Sequence, residues 1–256
     1  MTIVPSVPPT FERTIDKMLS VQRPVVLAHI RGIRKGKPSA PPAEVIRILE
    51  KRYLAAVTTG GALVGATAAI PAVGTVASVA LSAAETAGFL EASALFAQSV
   101  TEVHGIALSD PERSRTLVMG LILGTAGSDL VEQLAGEVVG GGPGRTAFWG
   151  EMVTKSMPKS AVGTVAKRLR THFLKRFAAR EGASIVGRAI PFGIGAVIGG
   201  AGNHLLGRRV VQTSRTAFGA PPQEFPLVLN AQFDAPPEIT ASSIPPQREA
   251  TTAPPQ

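Results

Sequence analysis

From Leu54 to Ala84 the chain runs for 31 residues without a charged side chain, LAAVTTGGALVGATAAIPAVGTVASVALSAA. As one straight helix this stretch would measure about 46 Å, well beyond the ~30 Å hydrocarbon core of a bilayer. Pro71 interrupts it. A proline inside a helix removes a backbone donor and clashes with the preceding turn, so the pattern predicts a helix, a turn at Ile70-Pro71, and a second helix running on through Glu85, Glu91 and Glu102. Those acids do not share one helix face and read as solvated positions. Nine of the 31 residues are Leu, Ile or Val. At ~−0.3 to −0.6 kcal/mol each their drive into lipid is modest, so re-entrant insertion fits the stretch as well as a full span.

A second block, Ala189 to Gly207, holds 19 uncharged residues closed by Arg188 on one side and Arg208-Arg209 on the other. It opens with Ala-Ile-Pro at 189–191, the tripeptide found at 69–71. That repeat reads either as two equivalent hairpin tips, Ile70-Pro71 with Gly74 nearby and Pro191, or as coincidence in an alanine-rich chain. Small residues four apart, Gly61 with Gly65 and Gly195 with Gly199, predict helices that touch at backbone distance. The run Gly193-Ile194-Gly195-Ala196-Val197-Ile198-Gly199 superficially matches a dinucleotide-binding turn. Pro191 stands where a strand should precede that turn, and Arg215 falls in the region where an acid should follow, so cofactor binding is not expected. Asn203 and His204 need polar partners inside this block, and a packing contact across helices satisfies that need without a transport role.

Between and around these blocks the helix signals are conventional. Pro41-Pro42 precede AEVIRILEKRYLAAV, in which Val45, Ile48, Leu49 and Tyr53 fall at helical spacing. Asp110-Pro111-Glu112 is a helix start, with a capping carboxylate, a proline suited to the first turn and an acid at the positive end of the dipole. The run Thr116 to Ser128 is uncharged for 13 residues, too few to span. Val162, Val165, Leu169, Phe173 and Phe177 form an apolar stripe, while Lys167, Arg168, Arg170, Lys175 and Arg176 lie mostly off it. That basic face reads either as the solvated side of a bundle or as a contact for an anionic surface, where each Lys or Arg adds ~1 kcal/mol.

The fold class expected is all-α, a helical bundle with two Gly/Ala-rich apolar hairpins. Residues 1–42, broken by Pro24, Gly32, Gly36 and Pro38, are expected to be a flexible basic segment with short helices, and 43–220 the helical domain. Residues 221–256 contain nine prolines among Gln, Ser and Thr and are expected to be a disordered tail. The first residues, MTIVPSVPPTFERTIDK, lack the basic and apolar regions of a secretory signal.

The net charge of +8 is segregated. Residues 1–53 hold ten Lys/Arg against four acids and 151–190 hold nine against two, while 54–110 carry four acids and no base. Basic blocks flanking apolar segments suit the cytoplasmic flank of a membrane. No nucleic-acid-reading motif accompanies them, so no nucleic-acid partner is expected. The chain has no cysteine and four scattered histidines, His29, His104, His172 and His204, without metal-ligand spacing, so no metal is expected. It has neither a G-x-S-x-G elbow nor a Walker A lysine. The expectation is a protein without catalytic residues or cofactors.

The stretches AETAGFLEASALFAQSVTEVHGIALSDPERSRTLVMGLILG (84–124) and GRAIPFGIGAVIGGAGNHLLGRRVVQTSRTAFGAPP (187–222), with IPAVGT at 70–75, resemble the EcsC family of bacterial proteins. The resemblance covers residues 45–220. Where the family pattern has Tyr-Gly before the acidic helix start, this chain has His104-Gly105. The resemblance implies a helical, membrane-associated protein with no catalytic residues to carry over. Two functions follow as expectations: a helical protein associated with the cytoplasmic membrane from its cytoplasmic side, with lipid as its partner, or a cytoplasmic helical bundle that binds a protein partner, a second copy or a lipid through an exposed groove.

Overall fold

Asp110 starts the helix at the centre of the molecule, its carboxylate accepting from the Glu112 backbone N–H at 2.9 Å, with Pro111 in the first turn. In the computed structural model the elements in chain order are α1 (Arg23–Gly36), α2 (Pro42–Thr67), α3 (Thr75–Val103), α4 (Pro111–Leu123), α5 (Thr125–Val139), the single turn α6 (Trp149–Glu151) leading into a π-helical turn at Met152–Ser156, α7 (Lys159–Gly187) and α8 (Ile194–Phe218). The structure describes residues 17, 19, 21–67, 75–106, 110–139, 148–187, 194–227 and 229–230, and only the backbone of 64–67, 75–83, 134–139, 156, 175–187 and 194–199. Among the described residues every regular element is helical, so the fold is all-α.

Helix α4 touches α3, α5, α7 and α8, and Leu117, Val118 and Leu121 are fully buried in it. A helix apolar on nearly every side belongs inside a bundle, and that is where the uncharged run from Thr116 lies. It turns sharply into α5 at Gly124, whose φ of +69° favours glycine. The corner is so tight that a side chain on Gly127 would overlap the Gly120 carbonyl. Arg113 fixes the next connection, donating to the carbonyls of Val153 at 2.7 Å and Met157 at 2.6 Å, which belong to the π-helical turn and the residue after it. On α7 the stripe Val162, Val165, Leu169 and Phe173 is buried against α4 and α5, while Lys167 and Arg168 remain exposed. Each such apolar side chain contributes about 1.5–3 kcal/mol by leaving water.

Packed elements are present at both ends of the described residues: a helix within 1–42, where short helices are expected, and a return of the chain after α8 that reaches residue 230. Helix α1 buries Val26, Leu27, Ile30 and Ile33 and packs on α3. Its Pro24 falls in the first turn, where the missing N–H is harmless, so it starts a helix instead of breaking one. After α8 the chain reverses at Gly219 (φ +72°) and runs back so that Phe225 packs against the core and Leu229 is buried. The Arg34 guanidinium stacks 4.6 Å from the Phe225 ring centroid and donates to Asn230 Oδ1 at 3.3 Å. Four buried or half-buried apolar positions in α1 and two in the return outweigh the entropy that the proline and glycine content implied.

Candidate functional site

The most extensive helix contact in the molecule joins α2 to α8, elements far apart in the chain. They run antiparallel. Gly200 lies opposite Ala62 and Thr58, Gly207 opposite Leu54, Val57 and Tyr53, and Arg215 opposite Glu50. The approach is close because α8 presents glycine: a methyl group on Gly207 would sit 2.9 Å from Val57 Cγ2 and 3.0 Å from Leu54 Cδ2, and on Gly200 3.4 Å from Ala62 Cβ. Polar bonds pin the register. The Thr58 hydroxyl donates to the Leu54 carbonyl at 2.6 Å and lies 3.0 Å from His204 Nδ1. Its one proton is committed to Leu54, so the His204 nitrogen supplies the hydrogen for their bond.

Helix α3 completes this group. Asn203 is buried and its amide donates to Glu85 Oε1 at 2.9 Å. Tyr53 lies within 2.8 Å of Ser93 Oγ and stacks on Phe96 at a centroid distance of 4.8 Å, and burial raises its phenol well above the ordinary value. The solvated reading of the three acids is corrected in two cases. Glu102 is 6% exposed and is held by a two-point fork from Arg23, with Nε at 2.6 Å and Nη2 at 3.1 Å, and Glu85 is half-buried on Asn203. Glu91 is exposed. Arg23 and Arg215 are each raised above the ordinary guanidinium value by the hydrogen bonds they make to Glu102 and Glu50.

The surface of this helix group changes character along its length. Beyond the level of Tyr53 and Gly207, the exposed positions are Ala55, Ala56, Thr59, Leu63, Ala84, Gly88, Ala201, Gly202 and Leu205, with Leu63 64% and Leu205 58% exposed. At that level stand Lys51 and Arg52 on α2 and Arg208 and Arg209 on α8, all exposed. On the other side of it lies a cavity of about 380 Å³ whose lining includes Arg47, Glu50, His104, Ser214 and Arg215. There the His104 ring stacks on Phe218 at 5.3 Å, and burial, opposed by the Glu151 charge, holds its imidazole below the ordinary histidine value.

Of the small residues expected at helix contacts, Gly61 is buried in α2, Asn203 is buried on α8, and Gly65, Gly195 and Gly199 lie in the backbone of α2 and α8. Ile70, Pro71, Gly74 and Pro191 lie outside the described residues. On the basic face of α7, Lys167 and Arg168 are exposed and Arg170 is half-buried. They line shallow clefts of about 670 and 160 Å³ with Ser160, Thr171, His172 and Arg115, and the side chains of Lys175 and Arg176 are not described. Sequence reasoning missed the contacts of Gly200, Gly207 and Glu85 and the common level of Lys51, Arg52, Arg208 and Arg209, since these depend on which helices pair. Among the described residues no group of three or more His, Asp or Glu could hold a metal ion, and no helix is long and apolar enough to cross a membrane. Comparison with protein-family models, with curated proteins and with solved structures finds no match.

Proposed function

We propose that this chain is a non-catalytic helical protein related to the EcsC family, which docks on the cytoplasmic side of the cytoplasmic membrane through the uncharged end of α2, α3 and α8. In this reading α2 with α3 forms one glycine- and alanine-rich hairpin around the stretch 54–84, and α8, which packs most extensively on α2, brings the second stretch, 189–207, to the same end.

The observation that carries the proposal is the uncharged end itself. Isolated exposed leucines are ordinary on any protein surface. Three adjacent helix ends whose described exposed positions, beyond Glu91 on α3 and Arg52 and Arg208 on α2 and α8, carry no charge, with Leu63 and Leu205 open, are not. The sequence carries this property on, since 54–84 and 189–207 contain no Asp, Glu, Lys or Arg. A second reading, a bundle that takes a partner through a groove away from lipid, draws on the cavity around His104 and Arg215.

Flotation with liposomes of a bacterial polar-lipid extract separates the two. The full chain is expected to float with the vesicles and to resist a carbonate wash of expressing cells. A monodisperse, detergent-free species that stays at the bottom of the gradient would remove the membrane reading.

A further inference from the structure

Resting on that reading, we infer that Lys51, Arg52, Arg208 and Arg209 form a belt that binds the anionic headgroups of a single bilayer leaflet and limits insertion to that leaflet. The two pairs of bases are 156 positions apart in the chain, from Arg52 to Arg208. The antiparallel register makes them one feature. Gly207 packs on Tyr53, Leu54 and Val57, so the bases immediately before Tyr53 and those immediately after Gly207 stand at one height, and all four are exposed. Among the described residues, exposed positions beyond that height are uncharged on α2 and α8, and below it the ion pair of Arg215 and Glu50 begins.

The dimension fits one leaflet. From Leu54 to Thr67, the end of α2, there are thirteen residue steps, and from Gly207 back to Ile194, the start of α8, there are thirteen again. At 1.5 Å per residue both measure about 20 Å, the depth of one leaflet with about 15 Å of hydrocarbon and about 5 Å of interfacial layer. Monotopic penetration with cations at the headgroups therefore matches both the length and the charge boundary.

The acids near the belt do not cancel it. Glu91 is exposed on α3, two turns from Glu85 toward the same level, and is one charge against four. Glu85 is bonded to Asn203, and Glu50 to Arg215. His29 on α1 lies close enough to Arg52 for that charge, after burial, to lower its proton affinity.

The test uses the full chain and vesicles of phosphatidylcholine with and without about one-third phosphatidylglycerol. Removing four bases, each worth about a fivefold change in partitioning at such a surface, is expected to weaken binding of the K51Q/R52Q/R208Q/R209Q variant several hundredfold, and added salt is expected to weaken the wild type. The K167Q/R168Q/R170Q variant on α7 is expected to bind nearly as the wild type does. Because the chain has no cysteine, single variants Leu63→Cys, Leu205→Cys and Gln212→Cys can carry an environment-sensitive dye. Dye at 63 and 205 should be quenched by spin labels within the bound leaflet, and dye at 212 should not.

The outcomes separate cleanly. If the wild type binds no vesicle, the membrane reading falls and takes the belt with it. If it binds neutral and anionic vesicles alike, or loses binding only in the α7 variant, the belt is wrong while membrane docking stands. Quenching of position 63 from the opposite leaflet would overturn the single-leaflet depth. Circular-dichroism melts of each variant establish that it is folded, and the salt series on the wild type tests whether binding is electrostatic.

Discussion

Arg215 on α8 grips Glu50 on α2 through two parallel bonds, Nε to Oε1 at 2.7 Å and Nη2 to Oε2 at 2.6 Å, and the two ends of the pair live in different media. The Arg215 side chain is 63% exposed, whereas that of Glu50 is 10% exposed. Removing the arginine therefore strands a nearly buried carboxylate, while removing the carboxylate frees a guanidinium into water. Arg215→Ala is expected to cost about 1–3 kcal/mol, kept at that level because the exposed partner is screened by solvent. Glu50→Leu should cost less, and urea unfolding of both variants checks the order. Equal losses would mean the pair is not asymmetric.

Glycines on one helix should respond differently according to what they face. On Gly207 a methyl group meets Val57 and Leu54 at about van der Waals overlap, so Gly207→Val is expected to force α2 and α8 apart and lose about 1–3 kcal/mol. On Gly202 nothing lies within 4 Å, and Gly202→Ala should gain up to about 1 kcal/mol from helix propensity alone. Thermal melts of the two variants should move in opposite directions.

The corner between α4 and α5 should tolerate even less. A methyl group on Gly127 would meet backbone, the Gly120 carbonyl, which cannot rotate away as a side chain can. Gly127→Ala is expected to destabilise by about 2–4 kcal/mol, against the propensity gain that alanine normally brings to a helix. A melting temperature equal to the wild type would show that α5 shifts freely on α4.

Burial sets a pH dependence. The folded His104 imidazole is held below its ordinary value, mainly by burial, so the unfolded chain binds a proton that the folded chain resists. Its contribution to stability is complete above about pH 6.5 and is lost as pH falls through the depressed folded value. His29, depressed by burial and Arg52, acts in the same direction. The melting temperature should fall between pH 7.5 and 5.5, and His104→Gln should flatten that slope. Glu151 opposes the shift, so Glu151→Gln should steepen it.

The return of the chain after α8 should matter to the core. Leu229 is 2% exposed, and Leu229→Ala is expected to cost about 2–3 kcal/mol, read from the urea midpoint. A true tail would lose nothing.

Local chemistry made much of this fold legible. The Asp110 cap, the start of α2 at Pro42 and the buried stripe Val162, Val165, Leu169 and Phe173 each depend on residues within a turn or two of one another. What pairs with what was not legible. Glu102 reads as solvated until Arg23, 79 positions away, is brought against it, and Asn203 finds Glu85 across 118. How far packing reaches into the proline-containing ends was not legible for a related reason: composition measures the entropy of ordering, but not the apolar surface waiting for Ile30 or Leu229 elsewhere in the molecule.

The pairing of α2 with α8 also imposes an order of events. Thr58 and His204 are separated by 146 positions, so at ~5–20 residues per second a ribosome needs roughly 7–30 s after making one to reach the other. Throughout that interval the glycine- and alanine-lined side of α2 has no final partner. Until α8 is made, α3 is the only one of its two principal neighbours that α2 can pack against, so the close glycine-lined pairing forms late in synthesis.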